Sequence, residues 1–150
     1  MKADEIIKRY PMQGHEENGF YLEQNYPAVS PDRAASGSIL YYVPKGESTL
    51  FHRIDCDEYW CYHAGSALEV WIIDARGKLT VEKLGTDEDC KPSVYFPKGA
   101  VFGSRSPKSS ADGTFFTCIT VPRFSYDGFE LLDREQVTAL CPEADAFWTK

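Results

Sequence analysis

From position 38 onward the chain is built of short apolar and aromatic runs separated by polar turns. The runs predict strands over Ser38–Val43, Leu50–Ile54, Glu58–His63, Ala67–Ile73, Leu79–Leu84, Ser93–Phe96, Val101–Ser104 and Phe115–Val121. Turn residues interrupt them at Pro44–Gly46, Asp55–Asp57, His63–Gly65, Asp74–Gly77, Pro97–Gly99 and Ser109–Gly113. Asp74–Gly77, between two strand runs, is a strong hairpin signal. Before this region, Ala3–Tyr10 carries Ile6, Ile7 and Tyr10 on one side of a helix that Pro11 stops. Met12–Gly19 reads as a polar loop, Phe20–Asn25 as a half-buried strand, and Tyr26–Gly37, with two prolines, as a long loop. Near the other end a helical run covers Arg134–Leu140 and Pro142 ends it. Many short strands with few helices predict an all-β sandwich or barrel with short N- and C-terminal helices. No repeat or linker divides the 150 residues, so a single domain over 1–150 is expected.

Composition narrows the function. Hydrophobic residues make up 43% and charged residues 26%, as in a folded domain with a core. The net charge of -7, with Lys and Arg scattered, argues against nucleic acid or an anionic membrane surface as a partner. No apolar run is long enough to cross a bilayer. The first twelve residues are amphipathic and lack the apolar stretch of a secretory signal, so a cytoplasmic location is expected. The five cysteines form no C-x-x-C pair and are expected as reduced thiols; Cys56 and Cys61 flank the most polar strand region.

That region, Gly46–Gly65, holds the candidate chemistry. His52, Asp57 and Glu58 sit between two β-rich runs. His52 titrates near neutral pH and can give or take a proton, and Asp57 or Glu58 beside it would orient the ring and raise its pKa. Tyr42, Tyr59, Tyr62 or Tyr95 could act as its proton-donating counterpart. Strand alternation places His52, Glu58 and Trp60 on one face and turns Arg53 outward, toward an acid such as Asp55. The alternative is that His52 and Glu58 form a buried pair tying two strands together. Arg33 is a candidate for bidentate anion binding. Glu17 and Glu23 read as solvated carboxylates, and His15 as a loop residue able to fold over a barrel mouth. Phe124 and Phe129 are expected to pack across the barrel's end.

Several blocks carry a family resemblance. Gly46, His52, Glu58 and Gly65 have the spacing of the first cupin motif, G-x5-H-x-H-x3-E-x6-G, with Ile54 at the second histidine. Pro97, Gly99 and Phe102 follow the second motif, P-x-G-x-x-H, with Phe102 in place of its histidine. GHEENGFYLE (14–23), Arg33 with SGSILYYV (36–43), FHRIDCDEYWCYHAGSALE (51–69), YFPKGAVFGS (95–104) and VPRFSYDGFEL (121–131) occur in order. The chain thereby resembles the DUF985-like, or cupin-5, group. Arg123 departs from the glycine common in the last block.

The resemblance implies a double-stranded β-helix, a jelly-roll barrel with an open-ended pocket, usually dimeric. It implies no single reaction, since the cupin superfamily spans oxygenases, isomerases, sugar epimerases and binding proteins. The leading expectation is a homodimeric barrel that binds a small molecule, a sugar or nucleotide-sugar, with epimerase- or isomerase-like chemistry. His52, Glu58 and Tyr42 are the catalytic candidates; Trp60, Phe102, Arg33 and Tyr95 are the ligand-binding candidates. One alternative is a divalent metal on His52 and Glu58 in a dioxygenase-like enzyme, with His15 or His63 completing the set. The other is a non-catalytic ligand-binding barrel in which Ile54 and Phe102 mark a lost active site.

Overall fold

Alternating side chains on pleated strands must bury one face, and here two antiparallel sheets bury theirs against each other. The computed structural model describes residues 2–24 and 33–149. The strands are β1 (Gln13–Gly14), β2 (Phe20–Glu23), β3 (Gly37–Val43), β4 (His52–Arg53), β5 (Asp57–Gly65), β6 (Leu68–Ile73), β7 (Leu79–Leu84), β8 (Ser93–Phe96), β9 (Val101–Arg105), β10 (Thr114–Val121) and β11 (Glu130–Leu131). One sheet has the order β1-β2-β3-β10-β5-β8 and the other β11-β4-β9-β6-β7. The result is the all-β jelly-roll barrel with short terminal helices that the chain's pattern and resemblance lead one to expect. Of the long loop expected over Tyr26–Gly37, positions 26–32 lie outside the described residues. No helix among the described residues is long and apolar enough to cross a membrane.

The interior is filled from both sheets. Tyr41, Val43, Trp60, Val70, Phe96, Phe102 and Phe116 belong to one buried cluster. Trp60 lies against Phe116 and Phe96 at 4.7 and 4.8 Å between ring centroids, and Phe96 stacks on Phe102 at 4.1 Å. This aromatic block fills one part of the barrel and leaves the rest open.

Helices cover both outer faces. Helix α1 (Ala3–Ile7) packs over Leu40, Tyr42 and Phe115. Helices α2 (Arg134–Leu140) and α3 (Ala146–Thr149) bring Val137 and Phe147 against Phe51, Trp71 and Val101. Asp133 caps α2 reciprocally: its carboxylate accepts from Gln136 N at 2.8 Å, and Gln136 Oε1 accepts from Asp133 N at 2.9 Å. The Asp74–Gly77 hairpin forms as expected, with the Asp74 carboxylate accepting from the backbone of Arg76 and Lys78.

Candidate functional site

The open part of the interior is a cavity of about 340 Å³. Three parts of the chain build its floor. Strand β4 supplies His52, and Ile54 follows it; β5, in the facing sheet, supplies Glu58; the β1–β2 connection supplies His15 and Glu17. Cys118 and Thr120 of β10 complete the wall, and Phe124, Ser125 and Tyr126 close one side.

Glu17 is the residue that sequence reasoning missed. It was expected in solvent, yet it is 6% exposed, and its Oε2 lies 2.8 Å from Nδ1 of His52. The turn that carries it is fixed. Asn18 and Gly19 both take positive φ, at 72° and 77°, as an Asn-Gly hairpin turn requires. Leu50 N donates to Glu17 O at 2.7 Å, Asn18 Nδ2 donates to Ser48 O at 3.1 Å, and Tyr41 Oη donates to Asn18 O. The signal was in the sequence: an Asn-Gly pair pins the position of the carboxylate one residue before it.

The proton inventory follows from burial and neighbours. Burial works against a charged His52, but the Glu17 carboxylate, through charge and hydrogen bond, and Glu58 hold the pKa up at about 9. Burial works against an ionised Glu17 as well; His52, through charge and hydrogen bond, together with His15 and the Tyr41 hydroxyl, outweighs it and keeps Glu17 below its ordinary value. His52 Nδ1 also faces Leu50 O at 3.0 Å, so this nitrogen carries its proton and a ligand would meet the ring through Nε2. Glu58 is the opposite case. Burial and the Glu17 charge push its pKa up to about 8 against the pull of His52. The Trp60 indole is turned toward it and favours the ionised form. Nevertheless neither Trp60 Nε1 nor Glu58 Oε2 has a hydrogen-bond partner among the described residues. His15 Nδ1 accepts from Glu17 N at 3.2 Å, so that nitrogen carries no proton; burial lowers the ring's pKa, and His15 is neutral at pH 7.

Other candidates fall elsewhere. Tyr42 lies on the outer face of β3 beneath α1, with its hydroxyl on Asp4, because strand alternation turns Tyr41 inward instead. Tyr95 is 48% exposed on the outer surface, where it faces Tyr59 and donates to Asp57 at 3.1 Å. Trp60 and Phe102 are packed into the aromatic block below the floor; Phe102 supports the His52 ring at 4.3 Å. Arg33 is spent on Asp55, with Nη1 and Nη2 at 3.1 and 2.9 Å, and on the carbonyl of Arg123. Arg53 consequently meets Glu130 rather than Asp55. Asp57 faces outward and accepts from Lys98 N. His63 points out to Thr117, at the bulge between β5 and β10. The buried pair expected between His52 and Glu58 is instead His52 with Glu17, and Glu58 stands apart.

The donor set does not fit a metal. Ile54 and Phe102 put hydrocarbon where two imidazoles would complete the motif. Among the described residues no group of three or more His, Cys, Asp or Glu side chains is arranged to hold an ion.

A jelly-roll barrel with an inward-facing polar site at its open part defines a cupin. The chain belongs to the cupin-superfamily family DUF985, whose model matches residues 4–132. Protein SO0799 from Shewanella oneidensis is similar at 34% identity, with 100% of this chain and 96% of that one covered and a TM-score of 0.88. A hypothetical protein from Leishmania major is similar at 27% identity, over 97% and 96% of the two chains, with a TM-score of 0.86. Bacillus subtilis oxalate decarboxylase shares the fold, at 18% identity and a TM-score of 0.63, over 81% of this chain and 30% of that one. Among curated proteins none matches.

Proposed function

We propose that the cavity binds a small hydroxyl- and carbonyl-bearing molecule of the sugar class and moves a proton on it, as an isomerase or epimerase does. The observation that carries this reading is Glu58: a buried carboxyl that lines the cavity, with its pKa raised to about 8 and one oxygen, Oε2, without a partner among the described residues. Such a carboxyl is costly to the fold, and a perturbed acid on a cavity wall is what proton-transfer chemistry on a ligand calls for. Ionised Glu58 takes a proton from the carbon next to a carbonyl. His52, held as imidazolium by Glu17, gives its Nε2 proton to the carbonyl oxygen, and an enol forms. Return of the proton to the other carbon, or to the other face of the same carbon, completes an isomerisation or an epimerisation, and both residues recover their starting states. Five free cysteines support a reducing, cytoplasmic setting. The two-residue edge strand β1 and the exposed Phe20 beside it support pairing of two copies into a homodimer.

The test is exchange of carbon-bound hydrogen in D₂O, followed by proton NMR with a panel of aldoses and ketoses. Exchange with wild type, lost in Glu58→Gln while that variant melts within a few degrees of wild type, is the expected result. Exchange that persists in Glu58→Gln overturns the assignment. A second reading is favoured by one observation: near pH 7 both His52 and Glu58 hold their protons, so no strong base faces the ligand. A barrel that binds without turnover would retain a sugar and leave every carbon-bound hydrogen in place.

A further inference from the structure

We infer that the ligand of this cavity is an uncharged polyhydroxylated ring, a free sugar or its lactone, rather than a phosphate ester or a nucleotide-linked sugar. This rests on the functional reading above and narrows it.

The first ground is charge. Two cationic side chains line the cavity, and each already faces a carboxylate: His52 faces Glu17, and Arg123 faces Glu23. The third histidine nearby, His15, has an acceptor nitrogen toward the Glu17 amide and adds no charge. Arg33 is held by both oxygens of Asp55. A phosphate needs a cluster of cations or amides to replace its hydration. Here it would meet three carboxyl groups, Glu17, Glu23 and Glu58, and, among the described residues lining the cavity, no cation without a carboxylate beside it. Anion selectivity is therefore built against, not for.

The second ground is the distribution of surfaces. Tyr21, Phe124 and Tyr126 line one side of the cavity, with Phe124 and Tyr126 edge to face at 4.9 Å. Ser38, Thr120 and Glu58 line another part. A pyranose has matching surfaces: an apolar C–H face suited to aromatic rings and an equator of hydroxyls suited to short polar side chains. The third ground is size. About 340 Å³ is near the bottom of the range of roughly 300–1,000 Å³ for small-molecule sites, enough for one ring and its substituents.

The test uses matched probes at pH 7: glucose, galactose and mannose, each also as its phosphate monoester and its nucleotide diphosphate conjugate, observed by saturation-transfer NMR and calorimetry. At least one neutral sugar is expected to bind, its phosphate at least about tenfold more weakly, and its nucleotide conjugate no better than the phosphate. Equal or tighter binding of a phosphate or nucleotide form, or silence from every neutral sugar, overturns the inference. A carbon-13 NMR titration of the Glu58 carboxyl separates this failure from that of the functional reading. Glu58 titrating near its ordinary value undoes the acid–base site itself. Titration near 8 with a phosphate ester bound more tightly undoes only the uncharged ligand.

Discussion

Glu17, at the tip of a hairpin, and His52, on a strand of the facing sheet, meet at 2.8 Å inside the barrel with both side chains less than a tenth exposed. The pair explains why the imidazole stays charged where burial alone would neutralise it. Glu17→Gln keeps the shape and the Nδ1 hydrogen bond but removes the charge. The His52 pKa is then expected to fall from about 9 to below 7, read by proton NMR of the ring. A His52 that still titrates above 8 in that variant would show that Glu17 is not the cause.

Stability should fall as pH rises. His52 has a folded-state pKa raised from 6.5 to about 9, so its contribution is complete below 6.5 and is lost on passing through 9. Glu58, raised from 4.5 to about 8, acts in the same direction, because the unfolded chain releases this proton first. Glu17, depressed, acts oppositely and only in acid, where its contribution is lost as pH falls below the ordinary carboxylate range. A maximum near pH 5 and a loss of at least about 5 °C in Tm between pH 6.5 and 9 are expected by calorimetry. A flat profile over that range would mean neither group is buried as described.

Strands β2 to β10 were legible in the chain because turns at Pro44–Gly46, Asp74–Gly77 and Pro97–Gly99 bound several of them and because the first half of β5 alternates, with Glu58 and Trp60 buried and Tyr59 exposed; the two-residue strands β1, inside the stretch read as a polar loop, and β11 were not. The inward face of β3 was not legible. Helix α1 covers its outer side, so Leu40 through Val43 are all buried and hydrophobicity no longer tells Tyr41 from Tyr42. Tyr95 was open to correction by parity, since Val94 and Phe96 on either side of it are the buried positions. Glu17 was hidden for another reason. A carboxylate in a polar loop defaults to solvent, and its partner is 35 positions away, so only the hairpin's docking reveals the pair.

Glu58→Gln tests whether function is maintained at the expense of stability. The buried carboxyl destabilises the fold wherever the unfolded chain would ionise it, which includes pH 7. The variant is expected to melt at the same temperature or a few degrees higher at pH 8, and to lose about 10²-fold or more in kcat/KM. A variant that melts much lower, with activity intact, would make Glu58 a structural group.

Gly19→Ala tests the hairpin as the device that positions Glu17. The residue has φ of 77°, and an added Cβ would lie 2.7 Å from the Tyr41 ring and 2.9 Å from Tyr42 O. Strain and clash together should cost about 1–3 kcal/mol by urea unfolding. The same variant should show a lowered His52 pKa, because the turn that delivers the carboxylate has moved. Lost stability with an unchanged His52 pKa would separate the turn from the site.

The acid–base reading makes a demand on pH that most enzymes of neutral compartments would not meet. Catalysis needs Glu58 without its proton and His52 with its proton. The first condition is met increasingly as pH rises through about 8, and the second is lost as pH rises through about 9. The profile of kcat/KM should be a narrow bell with its top between the two, and the apparent values belong to the coupled pair rather than to either residue. Glu17→Gln, by lowering the His52 pKa, should move the alkaline limb toward neutrality and shrink the maximum, because few molecules would then hold both groups in the needed states. A bell centred near pH 6 in wild type, or an alkaline limb indifferent to Glu17, would require a different acid and base in this cavity.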